Sequence, residues 1–300
     1  MNLLPKPVVA ALQAQSAPRR GGRHTVSDYS ATELIKPPLM TWIAKNDPPE
    51  YQDKDILDNA AAMYGTALHD WLRRQAEPPL YAEVPVAVKV GDKILTSEID
   101  LVDTENKIIY DYKLTKFWSV KKALEEGTKW EWEQQLNIYR WMLANNDPSL
   151  LPYPDNESSI PPEIIKELQI VAFIKDYGTQ AKNAGLSSVE MIKLPVWDFE
   201  GLSGTESFIH SAVKSHEQAK TELPRECTTQ EKWQRVQYKI EIDGKLGKFK
   251  YNSREKAASK VLSRKKQPKE WEIIEELGEP LRCQSYCAYR EKCPYFNSEF

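Results

Sequence analysis

Two acids and a lysine lie close together on segments that predict neighbouring β-strands. Asp111 and Lys113 follow a strongly apolar, β-prone run, and Asp100 lies in the segment Lys93–Asp103 before it. Because side chains alternate faces along a strand, Asp111 and Lys113 are expected on one face and Tyr112 on the other, toward the core. Across a hairpin Asp100 reaches Asp111, so both carboxylates can bind one hard divalent cation, with Lys113 placed to orient or deprotonate a water. The pattern predicts metal-assisted phosphodiester hydrolysis.

Two predicted helices carry further polar residues at helical spacing. Gly65 and His69 are four residues apart within the helical pattern Ala60–Arg74, and they share a face on which the glycine leaves room for a close approach. Gln135 and Tyr139 have the same spacing in a later helical segment. Either pair alone is typical of ordinary helix packing. Their order around the strand residues is what indicates a site.

In chain order these residues read Gly-x3-His, x-x-Asp, Asp-x-Lys and Gln-x3-Tyr. The order resembles the RecB-type branch of the PD-(D/E)XK nuclease superfamily, with Ser97 where the second motif of the family has glycine. The resemblance implies an α/β (mixed α+β) chain with a restriction-endonuclease-like core. It also implies that Mg²⁺ or Mn²⁺ is bound by His69, Asp100, Asp111 and the backbone carbonyl of Tyr112. Lys113 would position the nucleophilic water. Gln135 and Tyr139 would hold the lysine or the scissile phosphate.

Four cysteines form a second constellation: Cys227, and then Cys283, Cys287 and Cys293, with Pro294 after the last. Three cysteines within eleven positions are not typical of buried core thiols, and a disulfide pair is disfavoured in the expected cytoplasmic context. Structural zinc sites favour two short cysteine pairs, whereas one isolated cysteine and a triad closed by Cys-Pro favour a [4Fe–4S] cluster. The arrangement also resembles iron–sulfur RecB-type nucleases, including AddB and the CRISPR-adaptation nucleases, whose triad is C-x2-C-x5-C and whose first cysteine precedes the core. Structural Zn²⁺ is the alternative.

The hydrophobic pattern predicts a mixed sheet flanked by helices. Tyr81–Lys113 predicts a three-stranded meander with turns at Gly91–Asp92 and Thr104–Asn106, and a capping box at Ser30–Glu33 opens a helix. The other predicted helices are Ala60–Arg74, Trp118–Glu126, Trp130–Leu143, Gly204–Lys220 and Ser253–Lys265, and the other predicted strands are Leu168–Lys175, Met191–Trp197, Val236–Ile242, Lys248–Tyr251 and Trp271–Glu275.

Three regions follow from this pattern: a flexible basic arm at residues 1–28, the nuclease core at residues 29–226, and a cysteine module with a basic ββαβ insertion at residues 227–300. The net charge of the chain is −3, but residues 231–270 hold thirteen Lys and Arg against five Asp and Glu, a local excess of 13 − 5 = +8. Such a stripe can bind DNA, and a solvated charged surface is an equally good explanation. The residues predicted to contact DNA are Arg264, Lys265, Lys266 and Lys269.

Aromatic residues border the motifs, and they are Phe117, Trp118, Trp130 and Trp132. Such residues can stack on unpaired bases, although aromatic side chains more often belong to the core.

Composition sets the outer limits of function. A hydrophobic fraction of 41%, a charged fraction of 28% and a mean hydropathy of −0.60 come with no apolar run as long as a membrane span. Without a convincing secretory signal, we expect a cytoplasmic protein, in a bacterial host cell if the chain is phage-encoded.

The segment Ser30–Pro38 and the cysteine module together resemble phage nucleases encoded beside a single-strand annealing protein. This resemblance implies an exonuclease that processes DNA ends or junctions of single and double strands in recombination or repair, with the annealing protein as a partner. The alternatives are a structure-specific endonuclease or nickase, a non-catalytic DNA-binding protein, and an iron–sulfur redox protein. The sequence does not indicate an oligomeric state.

Overall fold

The computed structural model describes residues 27–47, 60–151, 160, 163–263, 268 and 270–296. The chain divides into two compact units, Met1–Ile35 with Tyr51–His216, and Lys36–Glu50 with Glu217–Phe300. This division differs from the contiguous one expected from the sequence, since Lys36–Glu50 group with the C-terminal residues. The three regions named from the sequence stay a prediction. In the ranges given above, no helix is long and apolar enough to cross a membrane.

Most of the predicted arm at residues 1–28 lies outside the described residues. Its last two residues are described, and they bond to the sheet. The backbone N–H of Asp28 donates to the Ile94 carbonyl at 2.8 Å, and the Asp28 carboxylate accepts from the Ile94 N–H at 2.8 Å. The chain is thus anchored from Asp28 onward.

The first unit contains a five-stranded sheet with the order β1-β2-β3-β4-β5. Its strands are β1 (Leu80–Val90), β2 (Lys93–Asp103), β3 (Ile108–Thr115), β4 (Glu167–Ile174) and β5 (Val189–Leu194). β1, β2 and β3 form the predicted antiparallel meander, β4 pairs parallel to β3, and β5 pairs antiparallel to β4. The parallel step requires a long crossover, which the chain supplies as two helices. The fold is therefore a mixed α+β fold, as expected.

Both units also contain helices. They are α1 (Ala31–Leu34), α2 (Pro38–Asn46), α3 (Ala60–Arg73), α4 (Phe117–Glu126), α5 (Trp130–Ala144), α6 (Thr179–Asn183), α7 (Thr205–Gln218) and α8 (Arg254–Leu262). The predicted capping box is present at α1, where the Ser30 N–H donates to the Glu33 carboxylate at 2.9 Å. The helices predicted over α3, α4, α5 and α7 are confirmed to within a few residues.

The core of the first unit lies between the sheet and α5. This helix packs against β1, β3 and β4, and Leu136 and Met142 on it are fully buried. Ile109 on β3 and Ile170 on β4 are fully buried beneath it. Each such side chain contributes about 1.5–3 kcal/mol through burial. Asp111 belongs to the same strand face as Ile109, so the core itself carries a carboxylate.

The second unit contains a three-stranded sheet with the order β7-β6-β8. Its strands are β6 (Val236–Ile242), β7 (Lys245–Leu246) and β8 (Trp271–Leu277), and α8 lies between β7 and β8 in the chain. The ββαβ order is confirmed, but the strand predicted at Lys248–Tyr251 is wrong. Asp243 and Gly244 both have positive φ, 47° and 73°, and they form a tight two-residue turn. The second strand of the hairpin therefore begins directly after the turn, where Lys245 pairs with Ile242. Tyr251 makes only an isolated bridge to Tyr238.

Candidate active site

The predicted metal-binding acids meet where β2 and β3 separate. Their ladder runs as far as the pair Leu101 and Tyr110, and the next pair in this register would be Asp100 and Asp111. There the Asp100 carboxylate accepts from the Tyr112 backbone N–H at 2.7 Å. The Asp100 side chain thus replaces a backbone carbonyl as the acceptor for this N–H. The strands β2 and β3 separate at this point, beside both carboxylates.

A chain of polar contacts links β3 to α5. The Lys113 Nζ lies 2.6 Å from the Asp111 Oδ2, and it donates to the Gln135 Oε1 at 3.2 Å. The Gln135 Nε2 donates in turn to the Tyr139 hydroxyl at 2.8 Å. Asp111, Gln135 and Tyr139 are all buried, and Lys113 is partly exposed. The structure thus brings the predicted strand pair and the predicted helix pair into direct contact.

His69 on α3 completes the group from the other side. Its Nδ1 lies 3.5 Å from the Asp100 Oδ1, and its ring is hydrogen-bonded to the Tyr112 backbone. The Tyr112 ring packs edge-on against the His69 ring, with centroids 5.7 Å apart, and also against Phe173. The Tyr112 side chain is half-buried under α3, which corrects the expectation that it points into the main core.

The electrostatics of the group are dominated by two enclosed acids. Burial, and secondarily the charge of Asp111, raise the pKa of Asp100 to about 8. Burial also raises the pKa of Asp111, against the opposing charge of Lys113. Burial lowers the pKa of His69, so this ring is neutral near pH 7. Ionising both acids therefore costs more free energy than their protein surroundings compensate.

The Asp111 Oδ2 is fully enclosed and has no hydrogen-bond partner among the described residues. The Lys113 Nζ lies 2.6 Å from this oxygen and forms an ion pair with it. Carboxylate oxygens and a backbone carbonyl are donors that suit Mg²⁺ or Mn²⁺, and a neutral imidazole can add a nitrogen ligand. The donors fit such a cation in kind. Within the described ranges, however, no three His, Cys, Asp or Glu side chains are already arranged to hold a metal ion.

Gly65 shares the α3 face of His69. A Cβ built on Gly65 would meet no atom within 4 Å, so the space beside it is open. That the glycine leaves room for a close approach stays a prediction. That space adjoins the helix face that carries His69.

The four cysteines all belong to the second unit and are half-buried, with free thiols. Burial, then Glu231 and the other three cysteines, raise the pKa of Cys227 to about 12. One pocket is lined by Leu39, Glu226, Cys227, Lys232, Pro280, Cys283, Cys293, Tyr295 and Phe296. Cys227, Cys283 and Cys293 thus line one pocket, although, among the residues whose placement is described, the cysteines do not form a ready-made metal site.

The predicted DNA-contacting residues Arg264, Lys265, Lys266 and Lys269 lie outside the described residues. Part of the surrounding basic stripe is neutralised internally. The Glu276 carboxylate on β8 pairs with the Lys239 Nζ at 2.7 Å and with the Lys250 Nζ at 3.6 Å.

One positioning residue was missed by the sequence analysis. The Asp176 carboxylate, just after β4, accepts from the Phe117 N–H at 2.6 Å and fixes the start of α4 at the end of β3. The available signal was an acid directly after a predicted strand. Its target could not be read from the sequence, because it depends on β4 lying parallel to β3.

Comparison with known proteins adds little to this geometry. No protein-family model matches the chain. No curated protein matches it either. Eight chains of solved structures match. One is the crystal structure of SSO0001, with 15% sequence identity and a TM-score of 0.43 over 72% of this chain and 86% of that chain.

Replacing Gly65 with alanine tests the open space beside α3. We expect Gly65→Ala to raise the free energy of unfolding by about 1 kcal/mol, because alanine favours the helix interior over glycine and nothing obstructs its Cβ. Urea unfolding measures the change. The exposed Ala67→Gly on the same helix is the matched control and should lower stability by a similar amount. A loss of stability in Gly65→Ala would contradict the open geometry.

The raised pKa of Asp100 predicts a pH-dependent penalty on the metal-free protein. A carboxyl whose pKa rises on folding stabilises the fold while it is protonated, so this contribution is full below its ordinary pKa of 3.8 and is lost as pH rises toward about 8. Asp100→Asn removes the titration, and the amide oxygen can still accept from Tyr112. With a chelator present, the variant should gain stability over the wild type as pH increases through this window. If the unfolding free energies of Asp100→Asn and the wild type, measured with urea, change in parallel over this pH range, the raised pKa of Asp100 is refuted.

Proposed function

We propose that the chain is a divalent-metal-dependent deoxyribonuclease with a PD-(D/E)XK core, acting as an exonuclease on DNA ends. The observation that carries this proposal is the enclosed Asp111 carboxylate, which lies 2.6 Å from the Lys113 Nζ and beside Asp100. Burial raises the pKa of both acids, so two carboxyl groups that are costly to ionise lie together at the point where the resemblance places a cation.

The proposed cation ligands are Asp100, Asp111, the Tyr112 carbonyl and His69. A bound Mg²⁺ or Mn²⁺ would acidify a water and polarise the phosphate. The neutral His69 imidazole is suited to ligation, since burial lowers its pKa. The Asp100 carboxylate is already oriented by the Tyr112 N–H, so it needs little rearrangement.

The helix residues keep the lysine in place. Lys113 is held by Asp111 on its own strand and by Gln135 on α5, and Tyr139 fixes the Gln135 amide. Burial raises the pKa of Tyr139 far above neutrality, so its hydroxyl keeps its proton and acts only through hydrogen bonds. Lys113 is partly exposed, which leaves its ammonium group able to orient a water on the phosphate side.

We propose a [4Fe–4S] cluster as a structural staple on Cys227, Cys283, Cys287 and Cys293, with Zn²⁺ as the alternative. Two features support it: the cysteine spacing, and a pocket in the second unit that is lined by three of the four, Cys227, Cys283 and Cys293. Thiolate clusters favour soft metals, and no carboxylate or imidazole is needed to complete four ligands. End processing in recombination or repair, beside a single-strand annealing protein in a phage-infected bacterial cytoplasm, is the proposed setting.

Removing either member of the buried pair tests the chemistry. We expect Asp111→Ala to abolish cleavage of end-labelled linear DNA in Mg²⁺ or Mn²⁺, and Lys113→Ala to slow it by roughly 10²- to 10⁴-fold. The reason is that the first loses a cation ligand and the second loses the water-orienting group. The matched controls are Lys89→Ala and Asp92→Ala at the tip of the β1–β2 hairpin, which should cleave normally. Wild-type rates in either site variant would refute the roles.

Two additions sharpen this experiment. Covalently closed DNA should resist cleavage, and its digestion would instead favour an endonuclease or nickase. Calorimetric titration with Mn²⁺ should show weaker binding in His69→Ala. Unchanged Mn²⁺ affinity in that variant would reduce His69 to a residue that packs on Tyr112.

Metal analysis of anaerobically purified protein tests the cysteine cluster. We expect brown protein with about four irons per chain, in keeping with four-thiolate ligation. Cys287→Ser should lose the iron and lower the stability of the second unit, because cluster binding and folding are coupled. Colourless protein with one zinc per chain would replace iron–sulfur with zinc. Metal-free protein with four titratable thiols would contradict both.

A further inference from the structure

Two exposed tryptophans border the candidate active site. Trp118 is 54% exposed and Trp130 is 38% exposed, although large aromatic side chains are usually buried. Trp118 is in the first turn of α4 and Trp130 begins α5. Neither belongs to the main apolar core.

Their distance from the site follows from the chain geometry. Trp118 is five residues after Lys113, so their Cα atoms are at most about 18 Å apart. Trp130 is five residues before Gln135, which is about 7.5 Å along the axis of α5. Gln135 itself contacts the Lys113 Nζ. Both tryptophans therefore lie within a few nucleotides of the proposed point of cleavage.

The helix ends that carry the two tryptophans lie side by side. The Lys129 Nζ donates to the Ser119 hydroxyl at 3.2 Å, and these two residues are the immediate neighbours of Trp130 and Trp118. This contact holds the first turns of α4 and α5 side by side. Asp176 fixes the α4 end of the same surface by capping Phe117.

The surface carries cations suited to phosphate. Lys116 and Lys122 are exposed, and neither forms an ion pair within the part of the chain that the structure describes. The Lys121 Nζ lies 5.2 Å from the centre of the Trp118 ring, and the Trp130 ring packs against Trp197 at a tilt of 36°, with centroids 5.0 Å apart. Aromatic faces interleaved with unpaired lysines are the features by which proteins bind unpaired strands.

A third exposed tryptophan lies beside cations that are already paired. Trp71 on α3 is 62% exposed. The arginines that follow it are already neutralised, Arg73 by Asp70 and Glu83, and Arg74 by Asp70. Trp71 therefore lacks free cations and serves as a matched control.

We propose that the surface formed by Lys116, Trp118, Lys122 and Trp130 binds an unpaired DNA strand and leads it to the active site. Bases stack on the two tryptophans, and phosphates contact the two lysines. This inference rests on the proposed nuclease function, and it adds a substrate preference: the end that enters the site is single-stranded.

Binding of a fluorescent oligodeoxythymidylate, measured by anisotropy with a chelator present, tests the stacking. Each stacked base contributes about 1–3 kcal/mol, so Trp118→Ala should weaken binding roughly 5- to 150-fold. Trp118→Phe should retain most of the affinity, and Trp71→Ala should change nothing. A blunt hairpin duplex should bind Trp118→Ala and Trp71→Ala with equal affinity.

The lysines are tested through salt. With single strands, each lost phosphate contact reduces the slope of log affinity against log salt by about 0.7. The double variant Lys116→Ala/Lys122→Ala should therefore reduce the slope by about 1.4 relative to the wild type. Lys214→Ala, an exposed lysine on α7, is the charge-matched control and should leave the slope unchanged.

The outcomes separate this inference from the nuclease proposal, because the binding assay requires no cleavage. Failure of the wild type to bind the single strand, or equal affinities of Trp118→Ala and wild type, would overturn the strand surface even if the protein is a nuclease. Equal losses in Trp118→Ala and Trp71→Ala, or on duplex and single strand, would overturn it as well. Tryptophan-dependent binding without any cleavage would instead support the surface and refute the nuclease.

Discussion

The hydrogen bond from the Tyr112 N–H to the Asp100 carboxylate, at 2.7 Å, is the constraint on which the site depends. It occupies the place where the β2–β3 ladder would otherwise continue. Because a side chain satisfies this amide, the strands can separate without leaving a buried N–H unpaired. The separation places Asp100, Asp111 and the Tyr112 backbone together, and it allows His69 on α3 to reach them.

Enclosing these two acids opposes the stability of the fold. Burial raises the pKa of both Asp100 and Asp111, and the Asp111 Oδ2 is enclosed without a hydrogen bond within the described residues. Such groups persist only where the surroundings determine their positions strongly. Here the surroundings are α5 and the sheet, whose fully buried Leu136, Ile109 and Ile170 surround the polar chain. The apolar core therefore holds an acid pair that would not stay together by itself.

The polar chain also shows how one helix serves two purposes. Along α5, Leu136 and Met142 pack against the sheet while Gln135 and Tyr139 hold Lys113. The helix begins at Trp130, on the surface to which we assign strand binding. Packing, positioning of the lysine and the proposed contact with DNA therefore depend on the same rigid element, so a displacement of α5 would affect all three.

Local patterns in the sequence predict the meander, the long helices α3, α4, α5 and α7, and the ββαβ order, but not the short helix α6. These predictions follow from short-range rules such as strand alternation, helix period and the Asp243–Gly244 turn. Local patterns do not predict the parallel pairing of β3 with β4, the Asp176 cap on Phe117, the partly buried position of Tyr112 or the grouping of Lys36–Glu50 with the C-terminal residues. The physical reason is range. Each of these depends on contacts between segments far apart in the chain, and their energies come from burial and pairing that no local window contains.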